Sequence, residues 1–64
     1  MLTNEIKRYI SETGYRTGSE IKAQFSDEDA EVLCVNMTYL VEKNMARKIT
    51  CKTPKGPEDL YYIP

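Results

Sequence analysis

The sequence contains no histidine and no tryptophan, only two cysteines, three glycines and three prolines, and a single phenylalanine. Without histidine it lacks the usual general base, the usual pH switch and the commonest metal ligand. A Ser-His-Asp or Cys-His mechanism cannot be assembled within one copy. Cys34 and Cys51 do not form a CxxC pair, and two thiols without His make a poor metal site, so neither metal nor cofactor is expected. A chain of 64 residues also leaves no room for a deep pocket beside a core. Neither an enzyme nor a small-molecule substrate is therefore expected. Charge of either sign is not in excess: nine Lys and Arg against ten Asp and Glu give a net charge of -1. Nucleic-acid binding through bulk charge is excluded, and any such binding must come from a local patch. No apolar run approaches the length that spans a membrane. The N-terminus shows no charged start followed by an apolar run and a small-residue cleavage site. The expectation is a cytoplasmic protein with both thiols reduced and packed in the core.

What is present is periodicity. The length allows one domain, residues 1–64. Leu2, Ile6, Tyr9 and Ile10 recur at helical spacing, which predicts a first helix from Thr3, as N-cap, to about Glu12. Thr13-Gly14 stops it, because Gly tolerates the left-handed conformation that follows a last turn. Tyr15-Arg16 is too short to stand alone and is expected to add a brief edge strand to a sheet formed elsewhere. Thr17 to Glu20 has the T-x-x-E spacing of a capping box, which predicts a short second helix over Gly18 to Gln24 anchored by Ile21 and Phe25. Ser26 to Asp29 repeats the cap pattern, with acids where the helix dipole favours them. A third helix is expected from Ser26 to about Lys43, with Ala30, Leu33, Cys34, Met37, Leu40 and Val41 on its inner stripe. Asn44 is the expected stop. Residues 45–52 and 60–63 read as strands, and residues 53–58, with two Pro and one Gly, read as the turn between them.

The order helix, short strand, short helix, helix, strand, turn, strand predicts an α+β fold. It is the layout of a winged helix-turn-helix domain, three helices followed by a two-stranded hairpin over about 45–63, with Tyr15-Arg16 as an extra edge strand. Glu5-Ile6 and Tyr9-Ile10, then Ile21, Phe25, Leu33 and Met37, and finally the run Leu40-Val41-Glu42-Lys43-Asn44-Met45-Ala46-Arg47-Lys48-Ile49 carry a resemblance. Over Leu2 to Ile49 the chain resembles the small FeoC-like winged-helix regulators linked to ferrous-iron transport. That resemblance implies a DNA-binding, regulatory role. Typical members carry several cysteines in the wing, proposed to hold an iron–sulfur cluster. Here the wing has only Cys51, so the resemblance extends to the fold and a regulatory role and not to iron sensing.

Two sets of residues are candidates for function. Arg16, Lys22, Lys43, Arg47, Lys48, Lys52 and Lys55 are the candidate DNA contacts. Five of these fall within the thirteen residues from Lys43 to Lys55, with no acid among them. Such a wing can lie along phosphates or in a minor groove. Lysines on an edge strand also protect it from pairing with other sheets, which explains them without a ligand. The third helix is poorly suited to reading bases. From Asp27 to Lys43 there are five acids and one base, and acids near a groove are repelled by phosphates. Asn36 is the one side chain there with the chemistry to reach an adenine. Val32, Val35 and Tyr39 instead form an apolar strip at i, i+3 and i+7, rimmed by Glu28, Glu31 and Glu42. That pattern fits a protein contact, either a homodimer or a partner. The plain alternative is a solvated acidic face with two incidental valines. Tyr61 and Tyr62 must point to opposite faces of the last strand, one to the core.

Overall fold

The first helix, α1, spans Leu2–Thr13 because its apolar residues recur on one face. The computed structural model describes residues 2–64. Ile6 and Ile10 are fully buried, and Leu2 and Tyr9 flank them at the edge of the core. Thr3 does not cap this helix. It lies inside the first turn, buried, and its hydroxyl donates to the Asn36 side-chain oxygen on the third helix. The helix begins earlier than the cap pattern predicts, and Leu2, within it, is partly buried against the core. Gly14 ends α1 at φ +86°. Its carbonyl accepts from the Ile63 N–H at 3.0 Å, fastening the C-terminal end of the chain to this joint.

Strand β1, Tyr15–Thr17, runs directly into helix α2, Gly18–Gln24. The expected capping box is formed: the Thr17 hydroxyl accepts from the Glu20 N–H at 3.1 Å and Glu20 Oε1 accepts from the Thr17 N–H at 3.0 Å. Ile21 is fully buried. Phe25 turns back so that its ring meets Tyr9 edge-on, with centroids 6.0 Å apart.

Helix α3, Ala30–Glu42, starts four residues later than Ser26. A turn closed by Glu28 N–H to the Phe25 carbonyl intervenes, and Asp29 is the N-cap, accepting from the Glu31 N–H at 2.8 Å. The cap is thus three residues beyond the expected Ser26. The later cap prevails because the turn lets Phe25 reach Tyr9. Leu33, Met37 and Leu40 face inward, one per turn. Ala30 and Cys34 do not; both are exposed. They border a groove between α2, α3 and the sheet, so the inner stripe is narrower than the periodicity predicted. Cys51 is only half-buried, and neither thiol belongs to the core. The helix ends at Lys43 and Asn44, the latter at φ +59°. Met45 N–H bonds to the Leu40 carbonyl and Asn44 N–H to the Val41 carbonyl, which satisfies two of the orphan carbonyls of the last turn.

Strands β2, Arg47–Thr53, and β3, Gly56–Tyr62, form the hairpin. Its tip is only Pro54-Lys55, tighter than the turn predicted from two Pro and a Gly. Pro57 belongs to β3, opposite Lys52. β1 pairs only with Leu60 to Tyr62, so at Pro57 one side of β3 is open and the missing N–H removes no ladder bond there. The result is an α+β domain whose antiparallel sheet has three strands in the order β1-β3-β2. The three helices cover one face of it. Ile6, Ile10, Ile21, Leu33, Met37, Leu40, Ala46 and Tyr61 are the core between them.

Candidate functional site

The hairpin sets out its charges by strand alternation. Arg47, Ile49, Cys51 and Thr53 project to one face of β2, and Lys48, Thr50 and Lys52 to the other. Lys48 pairs with the inward-facing Tyr61, so Lys48 and Lys52 share the helix side of the sheet while Arg47 lies on its outer side. Lys55 stands at the tip and Lys43 at the end of α3, its ammonium 5.8 Å from the Tyr39 ring. Lys22 is exposed on α2, beside a recess bordered by Gly18, Ser19, Pro57, Glu58 and Asp59. Lys43, Arg47, Lys48, Lys52 and Lys55 are all exposed. Among the described residues none of these five, nor Lys22, is within ion-pair distance of a carboxylate.

Two acids share the hairpin, and both are turned to other partners. Glu58 accepts from the Ser19 N–H at 3.0 Å and from its hydroxyl at 3.1 Å, at the start of α2. Asp59 accepts from the Thr50 hydroxyl at 3.0 Å across the strands.

Arg16 is placed differently from the other predicted cations. Its guanidinium lies 3.8 Å from the centre of the Tyr9 ring, and its Nε donates to the Tyr9 carbonyl at 3.1 Å. It pairs with Glu12 at 3.1 Å and with Glu20 at 3.6 Å, and its side chain is largely buried. These contacts join β1 to α1 and α2. Glu20 feels this site as well. The Thr17 backbone N–H, more than anything else, holds its carboxyl below the usual range, against an opposing contribution from burial; the Thr17 hydroxyl and Arg16 add to the lowering.

The outward face of α3 carries the apolar strip expected of it. Val32, Val35 and Tyr39 are 44%, 68% and 43% exposed. A shallow recess lies on each side of Val35 and Tyr39, one bordered by Cys34, Thr38 and Glu42, the other by Thr3 and Asn36. Asn36 is not free to read a base. Its oxygen accepts from Thr3 and its amide nitrogen donates to the Val32 carbonyl at 2.7 Å.

A further surface escaped the sequence reading. Tyr15, Tyr62 and Arg47 form one row across the three strands on the outer side of the sheet, and Thr17, Leu60 and Ile49 form the next. Tyr15 and Ile49 are exposed. The signal was there in the alternation of Arg47, Ile49 and Cys51, but it becomes a surface only once register joins the three strands. Of the tyrosine pair, Tyr61 takes the core, where burial pushes its phenol above the ordinary range, with Asp59 and then Cys34 adding to the shift.

Among the described residues no three His, Cys, Asp or Glu side chains converge as metal ligands, and no helix is long and apolar enough to cross a membrane. No family model, no curated protein and no solved structure matches this chain.

Proposed function

We propose that this chain is a winged-helix domain that acts as a small DNA-binding regulator, holding duplex phosphates mainly through its β2–β3 hairpin. The observation that carries the reading is the set Lys43, Arg47, Lys48, Lys52 and Lys55, exposed on or next to one hairpin with no ion-pair partner among the described residues. Cations left unpaired in a protein of net charge -1 are free to exchange counterions for phosphates. The element order and the β1-β3-β2 sheet support the winged-helix part of the proposal. The resemblance to FeoC-like regulators supports a regulatory role. Lys22 adds a sixth contact from α2. Arg16 is omitted because its guanidinium is already bonded.

Helix α3 does not read bases in this proposal. Its outward acids oppose a groove, and Asn36 is bonded to Thr3 and Val32. Binding is therefore tolerant of sequence. Fluorescence anisotropy with a labelled random duplex at low salt tests the proposal. The wild-type chain is expected to bind, and Lys48→Glu with Lys52→Glu to weaken binding by about tenfold or more. Absence of binding at tens of micromolar wild-type protein, or indifference to both charge reversals, overturns it.

A further inference from the structure

We propose that the outward face of α3 is a docking site for a basic amphipathic helix of a partner protein. The argument is independent of the hairpin. Val32, Val35 and Tyr39 lie on one side of α3 over about 10 Å of its length, the distance covered by two helical turns. Among the described residues Val35 is the most exposed large hydrophobic one. None of these three side chains belongs to the core among the described residues: Leu33, Met37 and Leu40 supply the core contact of the same helix. The recesses on either side of Val35 and Tyr39 give grooves into which a second helix can set a ridge of side chains. A helix laid there meets the strip with anchors at i, i+3 or i+4, and i+7.

Charge selects the partner. Glu31 and Glu42 are exposed on α3 beside the strip, Glu28 is exposed in the turn that leads into the helix, and Lys43, stacked toward Tyr39, is the cation at the helix end. A nucleic acid would bring phosphates to these carboxylates. A second copy of the chain, packed α3 against α3, would bring the same acids. A helix with lysines or arginines flanking its apolar stripe brings the complementary sign, and desolvates the valines and the tyrosine at the same time.

The test uses the full chain and a synthetic helical peptide of about 18 residues, with Leu at spacings of three and four and Lys elsewhere. Two control peptides accompany it, one with Glu in place of Lys and one with the same composition scrambled to abolish the apolar stripe. At near-physiological salt only the Lys amphipathic peptide is expected to bind. Val35→Asp should lower its affinity by about tenfold although it adds negative charge to the face. Tyr39→Ser serves as a second variant, circular dichroism verifies that both are folded, and Lys48→Glu should leave peptide binding unchanged. The proposal is overturned if the wild type fails to bind, if the scrambled peptide binds equally, or if Val35→Asp binds as tightly as wild type. It is equally overturned if sedimentation shows the wild type to be a dimer that Val35→Asp dissociates, which would give the face to a second copy. Because the duplex titration responds to Lys48 and this one to Val35, failure of either proposal is distinguishable from failure of the other.

Discussion

Arg16 sits where a short strand, two helices and an aromatic ring meet. Its flat guanidinium lies over the Tyr9 ring, donates to the Tyr9 carbonyl and to the Glu12 carboxylate, and forms a longer ion pair with Glu20, a combination that an ammonium on a flexible stem cannot reproduce. Arg16→Lys is expected to lower the unfolding free energy by about 1 kcal/mol in urea titration, with duplex affinity unaltered. Asn36 makes the same point inside the helix layer. Asn36→Ala leaves the buried Thr3 hydroxyl without its partner, at a cost of about 1–3 kcal/mol. Both residues were visible in the sequence as chemistry and not as partners. A charge or an amide is readable from one letter, whereas Thr3 lies 33 residues from Asn36 and meets it only when α1 packs on α3. The apolar strip at Val32, Val35 and Tyr39 was readable because helical spacing alone defines it.

At the scale of elements, a cap fixes the start of α2 and a left-handed residue the end of α3. Thr17→Ala removes the capping-box hydroxyl of α2 and should cost about 1 kcal/mol. Asn44 occupies a left-handed position, so Asn44→Ala should destabilise by about 1 kcal/mol while Asn44→Gly is near neutral or stabilising. Glu20 gives the capping box a pH dependence. Its folded carboxyl titrates below the ordinary glutamate value, so on acidification the unfolded chain takes up this proton first. The stability it contributes is whole above that ordinary value and disappears as pH falls through the folded one. Denaturation midpoints at neutral pH and near pH 3 should differ less in Glu20→Gln than in wild type. The start of α3 illustrates what local pattern leaves undecided. Ser26 and Asp29 are both sound caps, and the choice between them rests on the contact of Phe25 with Tyr9, a tertiary event. Pro57 misled for a related reason: its tolerance in β3 depends on β1 being short, which no window around residue 57 reveals.

For the whole molecule, the order of elements and the inward residues of α1 and α3 were legible because a chain of this size must spend its few large aliphatics on one core. Ala30, Cys34 and Cys51 were misassigned because that core is narrower than the apolar letters available to fill it. The outer sheet face was not legible at all, since it is assembled from three strands distant in sequence. The duplex proposal carries a global signature: with at most six cations at work, log affinity against log salt should fall with a slope between about −3 and −5. Lys48→Glu should make it shallower by about one. One feature of the backbone reaches across the whole fold. Thr17 both pairs with Leu60 and caps α2, with no linker between the two roles. Peeling the strand from the sheet therefore also removes the cap of the helix, and the Glu20 amide loses its partner when Tyr15–Thr17 opens. The strand's bonded amides and the first turn of α2 are expected to exchange together, as a single opening unit, in a mass-resolved uptake experiment.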